Sequence, residues 1–281
     1  MNHRRVSFLI AITGWCALST SVISAARAQT PAAGAPDANA LAKQTQNPVG
    51  DIAAIPFQFN FNSGGGLGDQ TMFNLNFQPV VPIRITPKWN LIARTIVPFV
   101  SAPTGGVDRV GGIGDIQEQI FFTPIGERKI TWGVGPVFSL PTATNALIRT
   151  GSWGAGPAGV ILAMPGPWVF GCLATQIWTF KDEGGPPKVN QLLAQPFINF
   201  NFGAAWALSS SPIITANWDA SSGNQWTVPL GLGITRTLVF GKQPMSLGAQ
   251  YYANVERPDG SPLSQLRFVW SLIYPVAMMR K

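Results

Sequence analysis

The stretch Phe57-Gln58-Phe59-Asn60-Phe61-Asn62 and its near copy Phe73-Asn74-Leu75-Asn76-Phe77-Gln78 decide the fold. Apolar and amide side chains alternate residue by residue. That is the period of a β-strand, so each segment carries an apolar face and an amide face. Leu266, Phe268, Trp270, Leu272 and Tyr274 repeat the pattern near the other end, alternating with Arg267, Val269, Ser271 and Ile273. Period two suits a soluble sandwich with its apolar face inward and a membrane barrel with that face outward equally well. The connections, the aromatics and the charges have to separate the two.

Working outward gives twelve candidate strands, at 55–62, 70–83, 89–100, 113–123, 130–140, 153–164, 168–180, 189–201, 205–217, 225–237, 244–253 and 264–274. Their connections alternate in length. Those at 86–88, 125–129, 165–167, 202–204 and 238–243 are short. Those at 63–69, 101–112, 141–152, 181–188, 218–224 and 254–263 are mostly longer and rich in Gly, Pro, Ser and Asp. An even strand count, short periplasmic turns and longer extracellular loops describe an outer-membrane barrel. Many segments reach the roughly 9–11 residues a tilted spanning strand needs. The expected fold is all-β, an antiparallel transmembrane β-barrel of about twelve strands. Membrane helices do not fit: the uncharged stretch 150–180 is divided by Pro165-Gly166-Pro167, and Asn and Gln recur through 189–218.

Tryptophan falls at the strand ends. Trp89, Trp132, Trp168 and Trp206 follow short turns, while Trp153, Trp178, Trp218 and Trp226 adjoin long loops. Two levels of Trp are what a pair of headgroup girdles requires, where an apolar ring and a polar N–H are both satisfied. Carboxylates avoid the strands: Asp69, Asp108, Asp182, Glu183, Asp219, Glu256 and Asp259 lie in the long loops, and only Asp115 and Glu118 fall inside candidate strands.

The first residues read as an export signal. Met1-Asn2-His3-Arg4-Arg5 is a basic start, 6–24 is mostly apolar and small, and Ala26-Arg27-Ala28 is a cleavage site before Gln29. An uncleaved anchor helix is the alternative. The expected layout is a signal peptide at 1–28, a linker or short helix at 29–54, the barrel at 55–275 and a tail at 276–281. Cleavage removes His3 and Cys16 and leaves Cys172 as the last cysteine. An internal disulfide, a Cys/His zinc site and a Ser-His-Asp triad are then all impossible. No catalytic residue, metal or cofactor is expected, and the chain does not read as an enzyme. A carboxylate-only hydrolase would need Asp115 and Glu118 paired in the lumen about 5–9.5 Å apart. Without Arg4, Arg5 and Arg27, 16 basic residues face 12 acidic ones, a net +4 with no basic patch, so nucleic acid is not an expected partner. Charged residues make up 11% of the chain, against roughly 25% in soluble domains. Within 29–54, Asp37 is placed to cap a helix over 38–46 that Pro48 ends. That segment is either a periplasmic linker or a plug entering the barrel, and the linker is preferred because N-terminal extensions are often loosely held.

A string of motifs carries a resemblance. It runs through Leu41-Ala42-Lys43, Gln46-Asn47-Pro48-Val49, Trp89-Asn90-Leu91-Ile92, Gly114-Asp115-Ile116 and Trp132-Gly133-Val134-Gly135-Pro136-Val137. It continues through Leu140-Pro141-Thr142-Ala143-Thr144, Trp153-Gly154-Ala155-Gly156-Pro157, Gly166-Pro167-Trp168, Val189-Asn190-Gln191 and Trp226-Thr227-Val228-Pro229. This string, spanning about 41 to 275, resembles the bacterial outer-membrane family named for the meta-cleavage pathway of phenol degradation, some of whose members carry a misleading "neuromedin U" label. The resemblance implies an outer-membrane barrel with a presumed transport role and no agreed catalytic residues.

Function in a barrel lines the lumen. Asn74, Asn76, Asn199, Gln250, Arg94, Asp115, Glu118 and Arg267 are lumen candidates, with Gln58 and Asn60 beside them. Arg94 either binds anions or, as preferred, pairs with a neighbouring carboxylate, Asp115 or Glu118 being the natural partner. Alternation leaves Glu118 toward lipid, and a bulge would bring it inward. Cys172 reads as a packing residue. The expected function is passive passage of small molecules, hydrophobic or aromatic ones among them, across the bacterial outer membrane. The alternative is a structural or surface-binding barrel with a sealed interior. The implied partners are outer-membrane lipid, a small-molecule solute and the barrel-assembly machinery.

Overall fold

The structure, a computed structural model, describes residues 38–65, 70–104, 108–126, 128–149, 151–180 and 189–275. The expected signal peptide, the Asp37 cap and the 276–281 tail lie outside these residues. One helix, α1 (Ala38–Thr45), precedes fifteen strand segments: β1 (Ile52–Ser63), β2 (Met72–Phe77), β3 (Val80–Thr86), β4 (Trp89–Pro103), β5 (Arg109–Ile113), β6 (Ile116–Pro124), β7 (Ile130–Leu140), β8 (Gly154–Ala163), β9 (Trp168–Thr179), β10 (Asn190–Phe202), β11 (Trp206–Ser210), β12 (Ile214–Asn217), β13 (Trp226–Phe240), β14 (Gln243–Glu256) and β15 (Ser264–Pro275). They build a closed antiparallel barrel of 12 strands. Neighbours in sequence are neighbours in the sheet, and β1 meets β15 in continuous register from Ile52↔Pro275 to Ser63↔Ser264. No described helix is long and apolar enough to cross a membrane.

The segment count exceeds the strand count because three barrel strands are interrupted. β2 and β3 form one strand broken at Gln78-Pro79, and β11 and β12 form one broken at Ser211-Pro212-Ile213. Proline has no N–H for the ladder, so the pairing lapses where it stands. The β5–β6 strand breaks at Gly114-Asp115, where Gly114 N donates to Pro98 O at 2.8 Å. The wall elsewhere uses glycine for close approach. A Cβ at Gly156 would lie 1.7 Å from Gln176 O, so no side chain fits where β8 meets β9.

The burial pattern separates barrel from sandwich. Polar residues are buried and apolar ones exposed. Gln119 is 1% exposed and Asn60 3%, while Ile83 is 47% and Leu232 57%. In a soluble sandwich these values would be reversed. The aromatics of the deciding stretch lie on the outer face, where Phe57 packs on Phe77 and Trp270 with centroids 5.3 Å apart in both pairs.

The interior has two unlike halves. Ile92, Phe121, Val137, Ala158, Val160, Leu162, Val169, Leu173 and Ile177, from β4 and β6–β9, form a packed apolar cluster. The remaining wall, from β10 round to β2, turns amides, hydroxyls and Arg267 inward. Residues 38–51 lie against this interior at the short-turn end. Leu41 and Ala42 of α1 are each 3% exposed, and Val49 joins the apolar cluster. Lys43 Nζ donates to the carbonyls of Met164 and Gly166, both at 2.8 Å. Gln46 and Asn201 exchange amide hydrogen bonds, Asn39 Oδ1 accepts from Ala205 N, and Asn90 donates to Asp51. The sequence favours a loosely held linker over a plug for this segment; 38–51 are docked by specific polar contacts.

Candidate functional site

The site grows from the break between β11 and β12. Ser211-Pro212 ends the ladder and leaves the Ser211 backbone groups without strand partners, which a buried wall cannot tolerate. Two inward side chains serve them. Tyr252 OH, from β14, accepts from Ser211 N at 2.9 Å, and Arg267 Nη1, from β15, donates to Ser211 O at 2.9 Å. The Arg267 guanidinium lies 4.7 Å from the centroid of the Tyr252 ring. It also donates to Asn60 Oδ1 at 3.2 Å, Gln250 Oε1 at 3.4 Å and Gln265 Oε1 at 2.8 Å. Arg267 is 2% exposed, and every one of these acceptors is neutral.

Arg94 follows the same pattern. It faces inward from β4, opposite Val80 and Gln119. It donates to Gln78 Oε1 at 2.7 Å and Gln119 Oε1 at 3.4 Å. Among the described residues neither Asp115 nor Glu118 bonds it. Asp115 sits at the β5–β6 break, where its two carboxylate oxygens accept from Ala143 N and Gly151 N and hold the long loop. Glu118 is corrected from lumen candidate to outer-face residue. It pairs with Thr95 and Phe138, both of outward parity, and accepts from Thr95 Oγ1 at 2.6 Å. The β4–β6 register runs unshifted from Trp89↔Pro124 to Ile96↔Gln117, so no bulge turns it inward. Asp115 thus serves the long loop and Glu118 the outer face, so these two do not meet as a lumen pair.

The amide candidates line the inner wall. Asn60 Nδ2 reaches Asn74 O at 3.2 Å, Asn76 stands opposite Gln58, and Asn199 and Gln250 border the cavities. One cavity of ≈ 210 Å³ touches Arg267, Gln58, Gln250, Asn199 and Ser209. A second of ≈ 250 Å³ touches Arg94, Gln78, Gln195 and Phe197. Both share Thr45, Gln46, Asn199 and Ser211, so they adjoin. A third of ≈ 1050 Å³ opens near the short turns among Lys43, Asp51, Arg128 and Lys129. Residues 42–51 border all three and form the partition between the mouth and the inner chambers. Among the described residues no cluster of His, Cys, Asp and Glu is arranged to hold a metal.

The Trp candidates occupy the two ends of the wall. At the short-turn end Trp89 meets Trp132 edge-on at 5.9 Å, Trp168 packs on Phe200 at 4.7 Å, and Trp206 lies under Arg236 at 4.9 Å. At the long-loop end Trp218 meets Trp226 edge-on at 5.4 Å and its Nε1 donates to Gln176. Trp153 and Trp178 are 60% and 47% exposed. Sequence reasoning missed Tyr252, Gln78, Gln265 and the docking residues Asn39, Lys43 and Gln46. Period-two counting from Gln250 finds Tyr252; nothing in local sequence shows that Lys43 reaches Met164.

No family model matches the sequence, and no curated protein does. Solved structures do share the fold. An outer membrane channel from Pseudomonas putida F1 superposes with a TM-score of 0.59 at 10% identity, over 79% of this chain and 94% of that one. The NanC porin superposes at 0.50 with 9% identity, over 79% of this chain and 98% of that one. At such identities the likeness is one of fold: this chain is built as outer-membrane barrels are.

Proposed function

We propose that this barrel resides in the bacterial outer membrane, after export on a cleaved signal, and passes small solutes down their gradient, with residues 38–51 as its constriction. The observation that carries the reading is the pair Arg94 and Arg267, which border adjoining chambers with only neutral partners among the described residues. A guanidinium matched by amides leaves its charge available to a passing anion. The lining therefore favours polar, anionic solutes, small carboxylates among them, over the hydrophobic compounds suggested by family context. Membership in the phenol meta-pathway family rests on the motif string from Leu41 to Trp226. The names of the Pseudomonas putida channel and the NanC porin agree with transport. Lipid and the assembly machinery are partners by virtue of the fold.

The second reading, a sealed barrel whose loops bind a partner, draws on the packed apolar half and on the docked partition. Planar-bilayer recording in a KCl gradient separates them. The expected result is a small anion-selective conductance that rises when 38–48 are deleted, and a loss of anion preference in Arg94→Gln/Arg267→Gln. No conductance from either the wild type or the deletion would leave the sealed barrel.

A further inference from the structure

Arg236 lies on the outer face. It stands opposite Trp206 of β11 and Leu247 of β14, while its neighbours Thr235 and Thr237 take the inward parity. Its guanidinium carbon is 4.9 Å from the centroid of the Trp206 ring. Its Nε is buried and has no hydrogen-bond partner among the described residues, and no described carboxylate forms an ion pair with it. Trp206 is the first residue after a short turn, so this cation sits toward the short-turn end of the apolar wall.

A groove of ≈ 450 Å³ runs from this point between Phe59, Ile234, Leu247, Phe268 and Trp270. Ala249 makes its floor: in the row Ile234↔Ala249↔Phe268 it is the one small side chain between large ones. A guanidinium that has no hydrogen-bond or ion-pair partner among the described residues and lies on an apolar face calls for an anionic partner at its terminal amino groups. On a lipid-facing surface at headgroup level, the anionic acceptor on offer is a lipid phosphate.

We infer that this groove is a phospholipid site, with the phosphodiester on Arg236 and an acyl chain lying over Ala249. The site is independent of any solute path through the lumen. Charge complementarity selects the headgroup, and the apolar walls hold the chain. Trp206 fixes the guanidinium by stacking, so the cation is ordered before lipid arrives.

The test is native mass spectrometry of the full exported chain in detergent, with folding checked by gel mobility before and after boiling. Phosphatidylglycerol and a diacylglycerol of the same chains are titrated in parallel. The wild type is expected to retain one phosphatidylglycerol about five-fold better than diacylglycerol, the gain of one basic group at the interface. Arg236→Gln is expected to reduce phosphatidylglycerol to the diacylglycerol level, and Ala249→Leu to reduce retention of both. Equal retention of the two lipids by the wild type, or undiminished phosphatidylglycerol retention by Arg236→Gln, overturns the site. Should Arg236→Gln fail to fold, undiminished retention by Ala249→Leu overturns it alone.

Discussion

The two halves of the interior use the same wall for opposite ends. Along β6–β9 the inward face is dominated by Phe121, Val137, Val160, Leu162 and Leu173, packed as a soluble core is, with Gln119, Ser139 and Thr175 interspersed. From β10 round to β2 the inward residues are amides, hydroxyls and Arg267, and cavities remain between them. The difference teaches that filling and lining are separable tasks in one barrel. The packed half carries stability that depends on volume. The polar half carries stability that depends on satisfied hydrogen bonds, and the proposed selectivity rests on Arg267 there and on Arg94 of β4 at its border.

That contrast can be broken by mutation. The largest loss is expected from Arg267→Ala. It strips the donor from Asn60, Gln250, Gln265 and the Ser211 carbonyl together, and buried acceptors left unmet should cost about 4 kcal/mol in denaturant unfolding in vesicles. Leu162→Ala, in the packed half, should cost about 3 kcal/mol by leaving a cavity, while ion selectivity stays as in the wild type. A selectivity change in Leu162→Ala, or an unchanged stability in Arg267→Ala, would collapse the distinction. A smaller effect of opposite sign is expected on the outer face. Glu118→Leu replaces a lipid-facing carboxylate that accepts a hydrogen bond from Thr95, and should stabilise the barrel by about 1 kcal/mol.

The architecture was legible because its signal is local. Period two, turn lengths and Trp levels each sit within a few residues, and together they specify twelve strands without any long-range information. Facing was legible for the same reason: parity alone turns Asn74, Asn76, Arg94, Asn199, Gln250 and Arg267 inward. Glu118 is instructive, since parity already put it outside and the invoked bulge was an attempt to relieve its cost. Partners were not legible. Arg94 meets Gln78 and Gln119 rather than an acid, and Arg267 meets Ser211 because a proline 55 residues earlier breaks another strand. Such pairings depend on register across the closed sheet, which no local pattern encodes. The docking of 38–51 is of the same kind, although its anchors Lys43 and Gln46 stand within the motif string that carries the family resemblance.

The seam between β1 and β15 has a consequence in time. It joins the first strand to the last, so its partners lie more than 200 residues apart, as Asn62 and Gln265 do with |i−j| = 203. Every other rung of the wall forms between segments made soon after one another; this one waits until translation and export have delivered the whole chain. Arg267 arrives on that final strand and bonds across the seam to Asn60. The act that shuts the cylinder is therefore the act that installs its buried charge, and a chain stalled short of β15 has neither a closed edge nor that guanidinium in its interior.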